Sequence, residues 1–308
     1  MPPSTRSTQV EDLAPGDHEV RRAVEDLLVR VARASGHPAM AEPSMLAWQD
    51  GQGFSGLIHR AERVDGYAQI DHRAGTATIE VVTDPDRIEV RRALLATALE
   101  RLAGSGIREV RTWAYRHRPA DDRAPLDLGF AVERDLLQLR APLPLRVDRP
   151  ALGAEVQLRS FRPGVDEEAW LEVNNRAFAT HPEQGGWDLP TLRRREAAPW
   201  FDPEGFILLE VGGRLAGSCW TKVHREARPV LGEIYVISVD PDAQGRGFGR
   251  ALAIAGMDWL AGRAEVGMLY VDRDNDPALA LYRSLGFAVD HLDRCYLWRS
   301  GQTPDPGN

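Results

Sequence analysis

The stretch "SVDPDAQGRGFGRALA", residues 238–253, decides the fold. An apolar run, "GEIYVISVD", leads into it and stops at Asp240-Pro241, where proline lacks the donor that a strand ladder needs. A helical apolar pattern, "ALAIAGMDWLAGRA", follows. Between strand and helix, Gly245, Gly247 and Gly249 let the backbone turn sharply and present bare N–H groups, with no Cβ in the way. A helix start adds about half a positive charge. The junction is therefore suited to a phosphate or diphosphate, with Arg246 and Arg250 reinforcing the field. No Gly-Lys-Ser/Thr follows, so it is not a Walker loop, and the later acidic residue of a dinucleotide fold is missing.

The bulk composition limits the partners. The chain has 308 residues, 43% of them hydrophobic and 27% charged, as in ordinary folded proteins. A net charge of −8 disfavours nucleic acid and anionic membrane, so any anion site must be local. No run of about 18 apolar residues exists to span a bilayer, and the first twenty residues lack the apolar core of a signal peptide. Cys219 and Cys295 are too few for a disulfide framework or a thiolate metal site. They read as buried, reduced thiols of a cytoplasmic protein, expected to be a monomer with no metal. Lys222 is the only lysine among 38 lysines and arginines.

The chain repeats itself at an offset of about 156 residues. "TATIEVVTDPD" (76–86) corresponds to "LGEIYVISVDPD" (231–242), and "LGFAV" occurs at both 128–132 and 285–289. The predicted plan is mixed α/β (α+β): two tandem domains, each a mixed central sheet flanked by helices. Expected boundaries are a degenerate domain over 1–141, a proline-rich linker over 142–153, a catalytic domain over 154–300 and a disordered tail over 301–308. In the first half the junction, "VVTDPDRIEVRRALLA" (81–96), has no glycine and places Glu89 where a diphosphate would lie. That half is expected to have kept the fold and lost the cofactor loop.

The second half resembles the GCN5-related N-acetyltransferase (GNAT) superfamily. Gln244, Gly247 and Gly249 match its Gln/Arg-x-x-Gly-x-Gly/Ala loop, and Asn275 through Phe287 match its Asn…Ala-x-x-Leu-Tyr-x-x-x-Gly-Phe signature. The resemblance implies acetyl-CoA as co-substrate. Its pantetheine arm would lie on Ile237, Ser238 and Val239, and its diphosphate on Gln244, Gly245, Arg246, Gly247, Phe248, Gly249 and Arg250. Further contacts would come from Asn275, Asp276, Pro277, Ala278, Leu279 and Ala280. Amine attack on a thioester requires removal of a proton, for which Glu233 is placed, and Tyr282 can protonate the leaving sulfur.

A narrower resemblance lies in "NNRAFATHPEQGGW" (174–187), "WTKVH" (220–224) and "GEIYV" (232–236), which resemble the mycothiol synthase family. This implies transfer of acetyl to the cysteinyl amine of cysteinyl-glucosaminyl-inositol, a small-molecule acceptor, with Glu42, Glu183, Lys222, Glu233 and Tyr270 as its contacts. His181 and Trp187 would shape the loop, and Gln184-Gly185-Gly186 would turn over the pocket. Two other readings fit the residues. One is a tandem acetyltransferase for another small-molecule or peptide amine, aminoglycosides being an example. The other is a CoA-binding protein without turnover, which has no need of Glu233 and Tyr282.

Overall fold

The computed structural model describes residues 9–14, 16–73, 75–84, 86–179 and 184–301. The tail at 302–308 lies outside that set, as does Glu183. In chain order the elements begin with β1 (Gln9–Asp12), α1 (His18–Ser35), α2 (Glu42–Asp50), β2 (Ser55–Arg60), β3 (Val64–Arg73) and β4 (Thr76–Thr83). Next come α3 (Ile88–Leu102), β5 (Glu109–Ala114), α4 (Arg123–Asp127) and β6 (Ala131–Pro142). The second half runs β7 (Val156–Ser160), α5 (Glu167–Ala177), α6 (Leu189–Glu196), β8 (Phe206–Val211), β9 (Arg214–His224) and β10 (Leu231–Val239). It closes with α7 (Phe248–Leu260), β11 (Val266–Asp272), α8 (Asp276–Ser284) and β12 (Ala288–Arg299). No helix among the described residues is long and apolar enough to cross a membrane.

The chain forms two compact units. One comprises residues up to Leu136 together with those from His291 onward; the other is Leu137–Asp290. In the first the strand order is β1-β2-β3-β4-β5-β12, and in the second it is β6-β11-β10-β9-β8-β7. Each unit thus takes the closing strand of the other half of the sequence: Arg294–Arg299 of β12 pair antiparallel with Glu109–Ala114 of β5. A split into contiguous halves does not describe this exchange. The two closing strands carry the same "LGFAV" entry and similar apolar spacing, so either fits beside either parallel strand.

Both units share one construction. Strand β4 pairs parallel with β5 only over Thr76–Ile79, and β10 with β11 only over Leu231–Ile234. Beyond those pairs the parallel strands part. In the second unit the parting coincides with a bulge, the β9–β10 register shifting between Ile234 and Val236, which makes Tyr235 the extra residue. The β3–β4 ladder of the first unit runs without a shift.

The core under the second unit's sheet is aromatic. Trp220 of β9 is fully buried, stacks on Phe206 at 4.4 Å and meets Trp170, Phe201 and Tyr235 edge-on. Trp170 of α5 donates its Nε1–H to Ser218 Oγ, which lies 3.1 Å from Ser238 Oγ on β10. Aromatic area and these buried bonds together fix α5 to the strand that carries the site. The start of α5 is fastened by Asp166, which accepts from both Nη atoms of Arg159 and from the backbone N–H of Arg162. Burial pulls the Asp166 carboxyl upward, yet the Arg159 and Arg162 bonds prevail and hold it at about 2.

Trp220→Ala is expected to cost about 3–5 kcal/mol, because the cavity opens where five rings meet; denaturant unfolding measures it. Asp166 is depressed in the folded state, so its contribution is present above the ordinary carboxylate range and lost as pH falls toward 2. The unfolding temperature of Asp166→Asn should therefore change less than that of the unaltered protein between about pH 4 and pH 2.

Candidate active site

The site is built at the parting of β10 and β11 in the second unit. Antiparallel pairing with β9 continues through Ile237↔Cys219, Ser238↔Ser218 and Val239↔Gly217, so β10 is held on one side only. Its other edge, over Val236–Val239, presents main-chain groups with no strand partner there. A buried backbone edge needs a partner, and a pantetheine amide supplies both a donor and an acceptor. Gly217 is required at the close: a Cβ there would stand 2.7 Å from Ser238 O.

The turn that follows is fixed from below. Arg176 of α5 donates to Asp240 Oδ2 at 2.9 Å and to Asp242 Oδ2 at 2.7 Å, and Asp240 Oδ1 accepts from the Asp242 N–H. Gly245 and Gly247 have φ of 76° and 80°, the left-handed region, and a Cβ on either would meet nothing within 4 Å. They are glycines for conformation, not for space. Gly247 is the N-cap of α7 and offers no side chain, and the first turn of α7 contains no acidic residue. The first turn of α3 in the first unit carries Glu89, as the sequence implies. The exposed N–H groups at the start of α7 therefore face outward in a positive field.

The other residues assigned to the cofactor fall into two groups. Gln244, Gly245, Arg246, Asn275, Asp276, Pro277 and Ala280 are exposed around the parting, and Gly249 and Arg250 are half-buried. Arg246 lies over the Phe248 ring and 3.7 Å from Glu155; Arg250 donates to Ser284 Oγ. The side chains of Ser238, Phe248 and Leu279 are buried and belong to the core, so these residues can offer a ligand only main-chain atoms. Ile237, Val239 and Ala278 are half-buried. Asn275 caps α8, accepting from the Ala278 N–H.

The chemically active groups stand nearby. Glu233 is 8% exposed and lies directly opposite Lys222 in the β9–β10 register. Its Oε2 is 2.6 Å from His224 Nε2. Lys222 Nζ sits over the rings of Trp200 at 4.6 Å and Tyr235 at 5.3 Å. Tyr270 of β11 accepts from Gln138 Nε2 at 2.7 Å, and Gln138 in turn accepts from Arg140. Tyr282 of α8 is buried, and burial first, with the neighbouring Cys219 thiol adding to it, raises its hydroxyl well above the ordinary tyrosine range. It stays protonated, as a proton donor to a thiolate must. Cys219 and Cys295 are free and buried, and burial pushes the Cys219 thiol up to about 12.

The acceptor-side loop is pinned by the paired asparagines of α5. Asn174 donates to Gln184 O, and Asn175 both donates to Trp187 O and accepts from the Trp187 N–H. Arg195 lies over the Trp187 ring and donates to the Tyr235 hydroxyl, linking that loop to the bulge. His181 and Glu183 lie outside the described residues. Glu42 opens α2 in the first unit.

The first unit differs at each chemical position. Thr78 is the third residue of the β4–β5 parallel ladder, as Glu233 is the third of β10–β11, and Thr78 faces Asp71 where Glu233 faces Lys222. Thr78 itself is no base, and the carboxylate of this register, Asp71, lies on the neighbouring strand. Arg87, near the start of α3, is instead paired with Asp65. Sequence reading placed Glu233 and Lys222 here but missed His224, Gln138, Arg140, Arg195 and the asparagine pins. His224 had a signal: it lies two residues after Lys222 on a strand and so shares its face.

A parallel pair that opens at a bulge, followed by a glycine turn at a helix start without a side-chain cap, is the arrangement of a GNAT acetyltransferase. The family model of the acetyltransferase (GNAT) family matches residues 168–287. Mycothiol acetyltransferase of Acidimicrobium ferrooxidans is 42% identical over 286 residues, covering 89% of this chain and 92% of that protein. That of Geodermatophilus obscurus is 44% identical, covering 88% and 92%. The chain belongs to the mycothiol acetyltransferase family, the mycothiol synthases. Among solved structures, a GCN5-related N-acetyltransferase from Sphaerobacter thermophilus superposes with a TM-score of 0.69 at 20% identity, covering 94% of this chain and 95% of its own. A tandem GNAT protein from the clavulanic acid biosynthesis pathway also gives 0.69, at 19% identity, covering 96% and 99%. These two share the fold.

Gly247→Ala forces an L side chain into a φ of 80°, at a cost of about 1–2 kcal/mol. Its first consequence should be weaker binding of acetyl-CoA by calorimetry, with a smaller change in the unfolding midpoint.

Proposed function

We propose that the second unit transfers the acetyl group of acetyl-CoA to the cysteinyl amine of 1D-myo-inositol 2-(L-cysteinylamino)-2-deoxy-glucopyranoside, in the cytoplasm. The observation that carries the reading is the placement of Glu233 beside an unpaired β10 edge that ends in the glycine turn. Its counterpart in the first unit, Thr78, is no base, which supports a single active site. The residues fit the coenzyme on three counts: an open main-chain edge, outward N–H groups at α7, and no acidic side chain in that first turn.

Acetyl-CoA supplies an activated acyl carbon and a thiolate leaving group. Glu233 takes one proton from the acceptor's ammonium, the freed nitrogen lone pair forms the new C–N bond as the C–S bond breaks, and the nitrogen's second surplus proton leaves to solvent. Tyr282 gives its proton to the departing sulfur and regains one from solvent. Lys222 and the Tyr270 hydroxyl suit the many oxygens of a pseudodisaccharide, the first as donor and the second as donor or acceptor. Gln138 orients the Tyr270 hydroxyl by donating to it. The names and extent of the relatives favour this acceptor over other amines.

The test is release of free CoA from acetyl-CoA with a panel of amines. Turnover with the cysteinyl pseudodisaccharide and none with aminoglycosides or peptides is expected; the reverse pattern overturns the acceptor assignment. Glu233→Gln should lower kcat by roughly 10²-fold while leaving acetyl-CoA affinity nearly intact. Calorimetry should count one tight acetyl-CoA per chain.

A further inference from the structure

We infer that His224 is a positioning residue that holds the Glu233 carboxylate in the orientation of a base. The inference rests on the reading of Glu233 as the group that deprotonates the acceptor. Glu233 and Lys222 face one another across the β9–β10 ladder, the arrangement in which opposite charges ordinarily pair. Such a pair would turn the carboxylate toward the ammonium and away from an incoming acceptor. The structure shows a different partition. The Lys222 ammonium is drawn over the Trp200 and Tyr235 rings, while Glu233 Oε2 takes its one hydrogen bond from a described residue, His224 Nε2, at 2.6 Å.

Opposite a carboxylate oxygen, that contact places a proton on Nε2, so His224 donates to Glu233. The histidine side chain is 28% exposed and the glutamate 11%, so the pair runs from the covered site toward its rim. With Oε2 fixed, Oε1 is left to the incoming ammonium. A glutamate has three rotatable bonds, and without the histidine its carboxylate is released to turn toward Lys222. The repeat serves as an internal comparison: where the first half has Thr78 in place of the base, Asp71 and Arg73 stand in place of Lys222 and His224. Base and histidine are absent together.

The experiment uses the full chain, with acetyl-CoA and the cysteinyl pseudodisaccharide, and compares His224→Ala with His224→Gln, whose side-chain amide reaches the place of Nε2–H. Expected for His224→Ala is a fall in kcat on the order of 10–100-fold with the KM for acetyl-CoA unchanged, as misplacement of a catalytic group produces. Expected for His224→Gln is recovery to within a few-fold of the unaltered enzyme. Unaltered kcat in His224→Ala, or a glutamine variant as slow as the alanine one, overturns the inference. Should the variants fail to fold, side-chain ¹⁵N–¹H correlation in the unaltered protein decides it: an Nε2–H tautomer is required, and an Nδ1–H tautomer overturns it. Glu233→Gln separates the two readings. If that variant keeps full turnover, the base assignment fails; if it is slow while His224→Ala is not, only the positioning role fails.

Discussion

The second unit depends on where one parallel ladder stops. Strands β10 and β11 are joined through Ile234↔Leu269 and then part, with the Tyr235 bulge beginning at the same point. A continued ladder would have satisfied the β10 edge internally and left nothing to bind. A ladder that opens in solvent would simply be wet. Here the opening is backed by Trp220, Trp170 and the Ser218–Ser238 contact, which hold β10 to its other neighbour while one edge stays available. The same bulge moves Tyr235 onto the side where Arg195, Trp200 and Lys222 collect. One irregularity of register therefore serves both substrates.

Duplication explains how the chain holds two such constructions that differ in their side chains. The first unit keeps the parted ladder but fills it differently: Glu80, just beyond the last parallel pair, is buried and accepts from the Tyr115 hydroxyl. Burial, the largest influence, raises its carboxyl to about 7 even against that hydrogen bond. Near the start of α3, Arg87 pairs with Asp65, and Arg118, which follows β5, pairs with Asp86 and Asp121. Exchange of β6 and β12 meanwhile makes each half of the sequence a component of both units, so neither half can be lost without removing a strand from the other's unit.

Several features of the site were legible because they are demands on the local backbone. Gly245 and Gly247 stand at positive φ, Asp240-Pro241 ends a strand, and Asn275 caps a helix; each residue type reports a conformation within a few positions of itself. The same logic does not distinguish Phe248 and Leu279, whose side chains are buried, from their exposed neighbours. A motif names consecutive residues, but a helix turns its side chains through every direction. Gln138 and Arg195 were illegible, and His224 legible only as a residue on the face of Lys222, because their partners Tyr270, Tyr235 and Glu233 are set by pairing between separate strands and helices.

The sequence by itself showed the repeated mixed α/β plan and the asymmetry between the halves, because periodicity, glycine placement and missing side-chain chemistry are properties of the chain; the acetyltransferase class and the acceptor came from the resemblance of its motifs to known families. Tertiary structure alone decided which strand closes which unit, where the parallel ladder parts, and that Glu233 is held by a histidine rather than paired with the lysine it faces. Those outcomes turn on register and packing between segments distant in sequence, where several pairings satisfy the same local pattern and only the assembled core selects among them.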